Sequence, residues 1–209
     1  GIVDAIRALA QALDVVGPVF PATVEKTTLC AELLDKTILR GEHVVDHPPH
    51  GSAVISRVFF DPPVSAYFRA CDYIRGADVI VIGPGSLYTS VLPVLMPEGI
   101  TEAISESSAP IVFVSNNGVH SDECGPVRLS EVVKIVSNLL PRPLSRIVSN
   151  SAVLGREQEA YYSKKGWKKI EANIDAISTI PVFHESFELA SGGMDALALG
   201  RILNTVIKD

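Results

Sequence analysis

The run Ala77-Asp78-Val79-Ile80-Val81-Ile82, joined directly to Gly83-Pro84-Gly85-Ser86, does most to limit what this chain can fold into. A short, continuous, β-branched apolar run suits a strand covered on both faces, and such strands belong to parallel sheets covered by their own crossover helices. The glycines put a turn at the strand's carboxyl end, and a helical pattern follows through Val94. A helix over Thr101–Glu106 then leads to a second apolar run, Pro110-Ile111-Val112-Phe113-Val114. Strand, turn, helix and strand make the βαβ unit, which predicts a Rossmann-like α/β fold with a doubly wound, mostly parallel sheet. Val79–Ile82 is expected to be a central strand of that sheet.

The remaining segments extend this plan. Ile2, Ile6, Leu9, Ala10 and Leu13 share one helical face, and Gly17-Pro18 closes that helix. Between residues 19 and 61 the pattern changes to short β-like runs, Thr27–Leu33, Lys36–Arg40 and Ala53–Phe60, which predict a small antiparallel excursion. An amphipathic stretch covers Val64–Ile74. After the second buried strand come a helix over Leu129–Leu139, a strand over Ser145–Val148 and a helix near Arg156–Lys164. A last strand is expected within Ala176–Val182 and a closing helix over Met194–Ile207. A length of 209 residues fits a single α/β domain over 1–209. Helical periodicity begins at the first residues without a capping signal, which predicts a missing N-terminal segment, or a partner chain such as a further copy that covers the sheet edge.

Charge narrows the partners. A net charge of -6 and a pI near 5.4 argue against nucleic acid, whose phosphates reward a basic face. Lys164, Lys165, Lys168 and Lys169 around Trp167 read as a solvated face. No stretch approaches the roughly 20 apolar residues of a membrane span. The 3 cysteines, Cys30, Cys71 and Cys124, are widely spaced, as in reduced thiols of a cytoplasmic protein; Cys71 falls in an apolar pattern.

The chemistry is expected on the turn. In open α/β sheets, ligands sit outside the carboxyl ends of the strands. There Gly83 and Gly85 allow close backbone approach, Pro84 stiffens the turn, and a helix start offers N–H groups to an anion. Ser86, Thr89 and Ser90 add hydroxyls, so the combination suits a phosphate or pyrophosphate. The plainer reading is that any strand-to-helix turn favours glycine and that Ser86 is an N-cap. The spacing is neither a dinucleotide fingerprint, since Tyr88 stands at its sixth position, nor a Walker loop.

The stretch from Ala77 through Gly83-Pro84-Gly85-Ser86-Leu87-Tyr88-Thr89-Ser90 to Pro93 resembles the signature of the YvcK family, the gluconeogenesis factors, which share the CofD-like fold with 2-phospho-L-lactate transferase. Supporting similarity lies in Ala31-Glu32 to Arg40-Gly41-Glu42, in Ser56-Arg57-Val58-Phe59-Phe60, in Gly99-Ile100 with Glu102-Ala103-Ile104, and at Asn116-Asn117. The resemblance implies a CofD-like sheet with a nucleotide-sugar site of the UDP-N-acetylglucosamine kind and a regulatory role in carbon metabolism, cell-wall metabolism and cell shape. The ligand-binding residues it implies, with those of the turn, are Gly83, Pro84, Gly85, Ser86, Tyr88, Thr89, Ser90, Asn116, Asn117 and Tyr162. The transferase branch would instead need magnesium. The resemblance also implies an N-terminal strand and Gly-rich loop, which would lie ahead of Gly1, and the chain departs from the family where Gly118-Val119-His120 follows the asparagines and where Gly193-Met194-Asp195 replaces Arg-His-Asp.

Two other clusters carry chemistry in principle. His120, Asp122 and Glu123 follow the second buried strand and suit magnesium or proton transfer, although polar loops hold such residues for solvation alone. His43, His47 and His50 invite a zinc reading, but no cysteine accompanies them and Pro48-Pro49 separates two of the three, so a surface loop is the plainer reading and no metal ligand is assigned.

Overall fold

The computed structural model describes residues 1–48, 54–120, 125–177 and 179–208. His50, Asp122, Glu123 and Cys124 therefore lie outside the described residues. The chain opens with α1 (Ile2–Ala12), which buries none of its side chains. Next come β1 (Thr28–Leu33), β2 (Ile38–Arg40), α2 (Glu42–Asp46) and β3 (Ile55–Asp61). These strands form an antiparallel sheet in the order β2-β1-β3, with Ala31 opposite both Leu39 and Val58. Ala31, Leu33, Leu39, Val45 and Ile55 make its small core, against which Tyr88 packs. The excursion expected over residues 19–61 thus contains a sheet, and α2 is an addition: five residues are too few to show helical periodicity.

The chain continues through α3 (Phe68–Arg75), β4 (Ile80–Ile82), α4 (Leu92–Leu95), α5 (Ile100–Glu106), β5 (Ile111–Val114), β6 (Gly118–His120) and α6 (Leu129–Leu139). Then follow β7 (Arg146–Asn150), α7 (Arg156–Lys165), β8 (Trp167–Lys169), β9 (Val182–Glu185) and α8 (Ala196–Lys208). Strands β4, β5, β7 and β9 form a parallel sheet in that order. The short strands β6 and β8 pair as an antiparallel ribbon.

Side-chain alternation assigns the faces of the parallel sheet. Ile111 and Phe113 of β5 and Ile147 of β7 join the core under α5 and α6. Their neighbours Val112, Val114 and Val148 point the other way, into a second cluster with Phe187 and with Leu199 and Val206 of α8. The period of two places hydrophobic side chains on both faces, so helices must cover both. This is the Rossmann-like, doubly wound arrangement. Cys71 is buried and joins the first cluster, and Cys30 is a second buried free thiol.

Two expectations need correction. β4 is an edge strand, paired to β5 alone, and Val81 is 40% exposed. An apolar run reports burial, whereas it carries no signal for the number of neighbouring strands. The last strand occupies Val182–Glu185 rather than Ala176–Val182, because Pro181 has no N–H for a ladder, and Ile174–Ala176 forms a 3-10 turn.

Candidate functional site

The carboxyl ends of the four parallel strands gather the turn at Gly83, the segment Ser115-Asn116-Asn117, the pair Ser149-Asn150, and the approach to Phe187-Glu188. Gly83 has φ +85°, and a Cβ there would lie 2.5 Å from the Val114 carbonyl oxygen. Its glycine is therefore required by the close approach to β5. At Gly85 a Cβ would meet the Ser90 Cβ at 3.0 Å, so the turn folds tightly on itself.

Beyond Ser86 the backbone makes a π turn over Leu87–Val91, in which the Ser86 carbonyl accepts from Ser90 N–H and Val91 N–H, both at 2.9 Å. Pro93 lacks the N–H that an α-helix would give to the Thr89 carbonyl, which accounts for the wider turn. Among the described residues no acceptor meets the N–H of Gly85, Ser86 or Leu87. Ser86 has no side-chain capping bond, and Ser90 is exposed. Thr89 donates its hydroxyl to Asp46 Oδ1 at 2.7 Å, which ties the turn to α2. Tyr88 is half-buried between the main core and the core of the antiparallel sheet.

Asn116 reaches the turn. With Gly85, Phe113, Val119 and Ile170 it lines a crevice of about 20 Å³. That is room for a single water, so a larger ligand would rest over the outer side of the turn. A groove of about 400 Å³ between α6 and Ala176, Ile177, Thr179 and Ile180 contains none of the predicted binding residues.

Asn117 and Tyr162 belong to a different assembly, centred on Glu188. Glu188 Oε2 accepts from Asn117 Nδ2 at 2.8 Å, from Asn150 Nδ2 at 2.6 Å and from the Tyr162 hydroxyl at 3.1 Å. Oε1 accepts from the backbone N–H of Gly193 at 2.7 Å. One half-buried carboxylate thus joins the ends of β5 and β7 to α7 and to the turn before α8. Tyr162 is buried, and this burial, together with the adjacent Glu188 charge, pushes its hydroxyl well above the usual tyrosine range. Burial also holds the Lys169 amine below its usual range, opposed by attraction to Glu188, and the amine donates to the Ala152 carbonyl. Asn117 is 3% exposed and its Oδ1 has no partner among the described residues. Its amide orientation is fixed by Nδ2, which must face the carboxylate.

At the departure from the family pattern, Gly193 has φ +92° and gives its N–H to Glu188, while Asp195 Oδ1 accepts from Leu197 N and Ala198 N and caps α8. Glu188, Asn150 and Asp46 carry no motif in the sequence; only the fold reveals them, because each acts through a partner distant in the chain. No helix among the described residues is long and apolar enough to cross a membrane.

Residues 1–185 match the family described as 2-phospho-L-lactate transferase CofD. The chain belongs to the CofD family. Within it, the chain is 44% identical to the gluconeogenesis factor of Listeria innocua over 115 residues, covering 54% of this chain and 35% of that protein. It is 29% identical to the gluconeogenesis factor of Bacillus subtilis over 178 residues, covering 84% and 55%. The match thus spans between about a third and just over half of these curated relatives' lengths. A crystal structure of a UPF0052-family protein from Bacillus halodurans superposes with a TM-score of 0.82 at 28% identity, covering 96% of this chain and 66% of that one. A second crystal structure of a Bacillus halodurans protein gives 0.84 at 28%, covering 99% and 67%. These likenesses support a CofD-like chain of the YvcK, gluconeogenesis-factor type.

Proposed function

We propose that the carboxyl edge of the parallel sheet forms part of a binding site for a phosphorylated ligand of the nucleotide-sugar class, such as UDP-N-acetylglucosamine. In this reading the chain is a cytoplasmic, ligand-binding regulator of carbon and cell-wall metabolism and of cell shape. The observation that carries the reading is the meeting of Gly85 and Asn116 on one crevice, beside three consecutive N–H groups without acceptors among the described residues. Such N–H groups suit an anion. The backbone of Gly83-Pro84-Gly85-Ser86, with Ser86, Ser90 and Asn116, would face the ligand. Tyr88, Thr89, Asn117 and Tyr162 would hold that surface in place from behind, since Thr89 and Tyr162 give their hydroxyl protons to Asp46 and Glu188.

Calorimetry of the full-length protein with UDP-N-acetylglucosamine tests this, and the absence of heat at millimolar ligand would refute it. Gly85→Val should remove ligand-induced thermal stabilisation while the free protein stays folded. The second reading, a magnesium-dependent phospholactate-type transferase, is favoured by the description of the matched family. Phospholactyl transfer that requires magnesium would establish it in place of the first. The gluconeogenesis-factor names of the curated relatives favour the regulator.

A further inference from the structure

Helix α6 borders two hollows. Val132 lines the crevice that Gly85 and Asn116 share, whereas Val133 lines a separate groove of about 400 Å³ between α6 and the segment that leads to β9. A volume of roughly 300–1,000 Å³ is that of small-molecule sites. The floor of the groove is apolar and held in place: Val133 is buried, and Ile177 and Ile180 pack against the main core. Its two walls are tied at one end. Asn173 Oδ1 accepts from Ser130 N–H at 3.1 Å, Asn173 Nδ2 donates to Ser130 Oγ at 2.8 Å, and the Glu171 carbonyl accepts from Leu129 N–H at 2.9 Å.

The α6 wall carries three polar side chains that no role described above uses. Glu131, Lys134 and Ser137 follow one another at intervals of three residues, so they are neighbours along one side of the helix, and all three line the groove. Glu131 and Lys134 are exposed, and among the described residues neither side chain is engaged in an ion pair or hydrogen bond. Ser137 Oγ is buried and has no hydrogen-bond partner among the described residues. A buried hydroxyl is normally satisfied, so this one calls for a partner.

We propose that this groove binds a free α-amino acid with an aliphatic side chain. Such a molecule carries an ammonium and a carboxylate on one carbon, which match a carboxylate and an amine one helical turn apart on α6. The ammonium meets Glu131. The carboxylate meets Lys134 on the side of Ser137, where it supplies the acceptor that the hydroxyl lacks. The aliphatic chain covers Val133, Ile177 and Ile180. A plain anion would instead face the Glu131 charge, a plain cation would face Lys134, and an apolar ligand would desolvate both charges without pairing either. Exposed ion pairs contribute little each, so a dissociation constant of about 1 mM is expected. The groove holds none of the residues assigned to the nucleotide-sugar ligand, and the proposal stands independently of that reading.

The test is a nuclear magnetic resonance titration of full-length protein, labelled at Ile, Leu and Val methyl groups, with leucine. We expect saturable shifts of the Val133, Ile177 and Ile180 signals and none at Val112 and Val114 on the opposite face of the sheet. Two analogues separate the charges: 4-methylpentanoate is leucine without its ammonium, and 3-methylbutylamine is leucine without its carboxylate. Each should bind about fivefold more weakly than leucine. Glu131→Gln should erase the preference over 4-methylpentanoate, and Lys134→Met the preference over 3-methylbutylamine. Ser137→Ala should weaken leucine about threefold. Unshifted methyl signals elsewhere show that each variant is folded. No saturable shift up to about 50 mM leucine would overturn the proposal. Equal binding of all three molecules would overturn it too, since the groove would then read only the aliphatic chain, and preferences that survive in both charge variants would refute the roles of Glu131 and Lys134.

Discussion

Replacing Glu188 with Gln removes the charge from the carboxylate that joins four donors while keeping its shape. The Gln amide retains most bonds if its oxygen takes the place of Oε2, facing Asn117, Asn150 and Tyr162, and its NH2 takes the place of Oε1. The three retained bonds then change from charged to neutral, each losing about 1 kcal/mol. The N–H of Gly193, now 2.7 Å from a donor, loses its acceptor at a further cost of about 1–3 kcal/mol. Glu188 is only half-buried, and water recovers part of this. A net loss of about 3 kcal/mol is expected, a large fraction of the roughly 5–15 kcal/mol that holds a domain folded. Urea unfolding followed by circular dichroism reads it as a lower midpoint at unchanged slope. Glu185→Gln, at an exposed neighbouring position, should change stability by less than about 0.5 kcal/mol. If Glu188→Gln costs less than about 1 kcal/mol, the carboxylate is not the junction described here.

Gly83→Ala should destabilise by about 2–4 kcal/mol in the same assay, because the methyl meets the Val114 carbonyl and the backbone sits at positive φ; an unchanged midpoint would refute the packing account. Spectrophotometric titration of the 5 tyrosines should show one hydroxyl that stays protonated well above the others until the protein unfolds, and Tyr162→Phe should remove that late component. Since the folded state holds Tyr162 protonated, its contribution to stability is fully present below about pH 10, the unfolded value, and declines as pH rises beyond it. Stability of the wild type should therefore fall more steeply above pH 10 than that of Tyr162→Phe.

The parallel sheet was legible in the sequence because β5 is covered on both faces and shows a continuous apolar run, β7 carries the apolar pair Ile147-Val148, and α6 and α8 show clean helical periodicity. Legibility ended at the β6–β8 ribbon. β6 and β8 are stabilised by each other across some fifty residues of chain, and a three-residue strand carries no pattern of its own. The edge position of β4 is likewise a property of its neighbours. In the candidate site the glycine turn was readable from local backbone demands, since Gly83 sits at positive φ and Gly85 packs against Ser90 within the turn. Glu188 was not, because a carboxylate acquires its role from the donors the fold brings to it, and those come from Asn117, Asn150, Tyr162 and Gly193.

The π turn at Leu87–Val91 also bears on how this chain tolerates changes in length. A π turn holds one residue more than an α turn between the same two flanks. Removing a residue there would let an ordinary α turn close while Leu92 and Leu95 keep their places in the core. A single deletion within α6 would instead rotate everything after it by about 100° and carry Val133 and Val136 out of the core. A deletion scan across residues 85–140 should accordingly find its tolerant position beside the glycine turn, where a shorter loop would change the reach of Tyr88 and Thr89 and leave the sheet behind them intact.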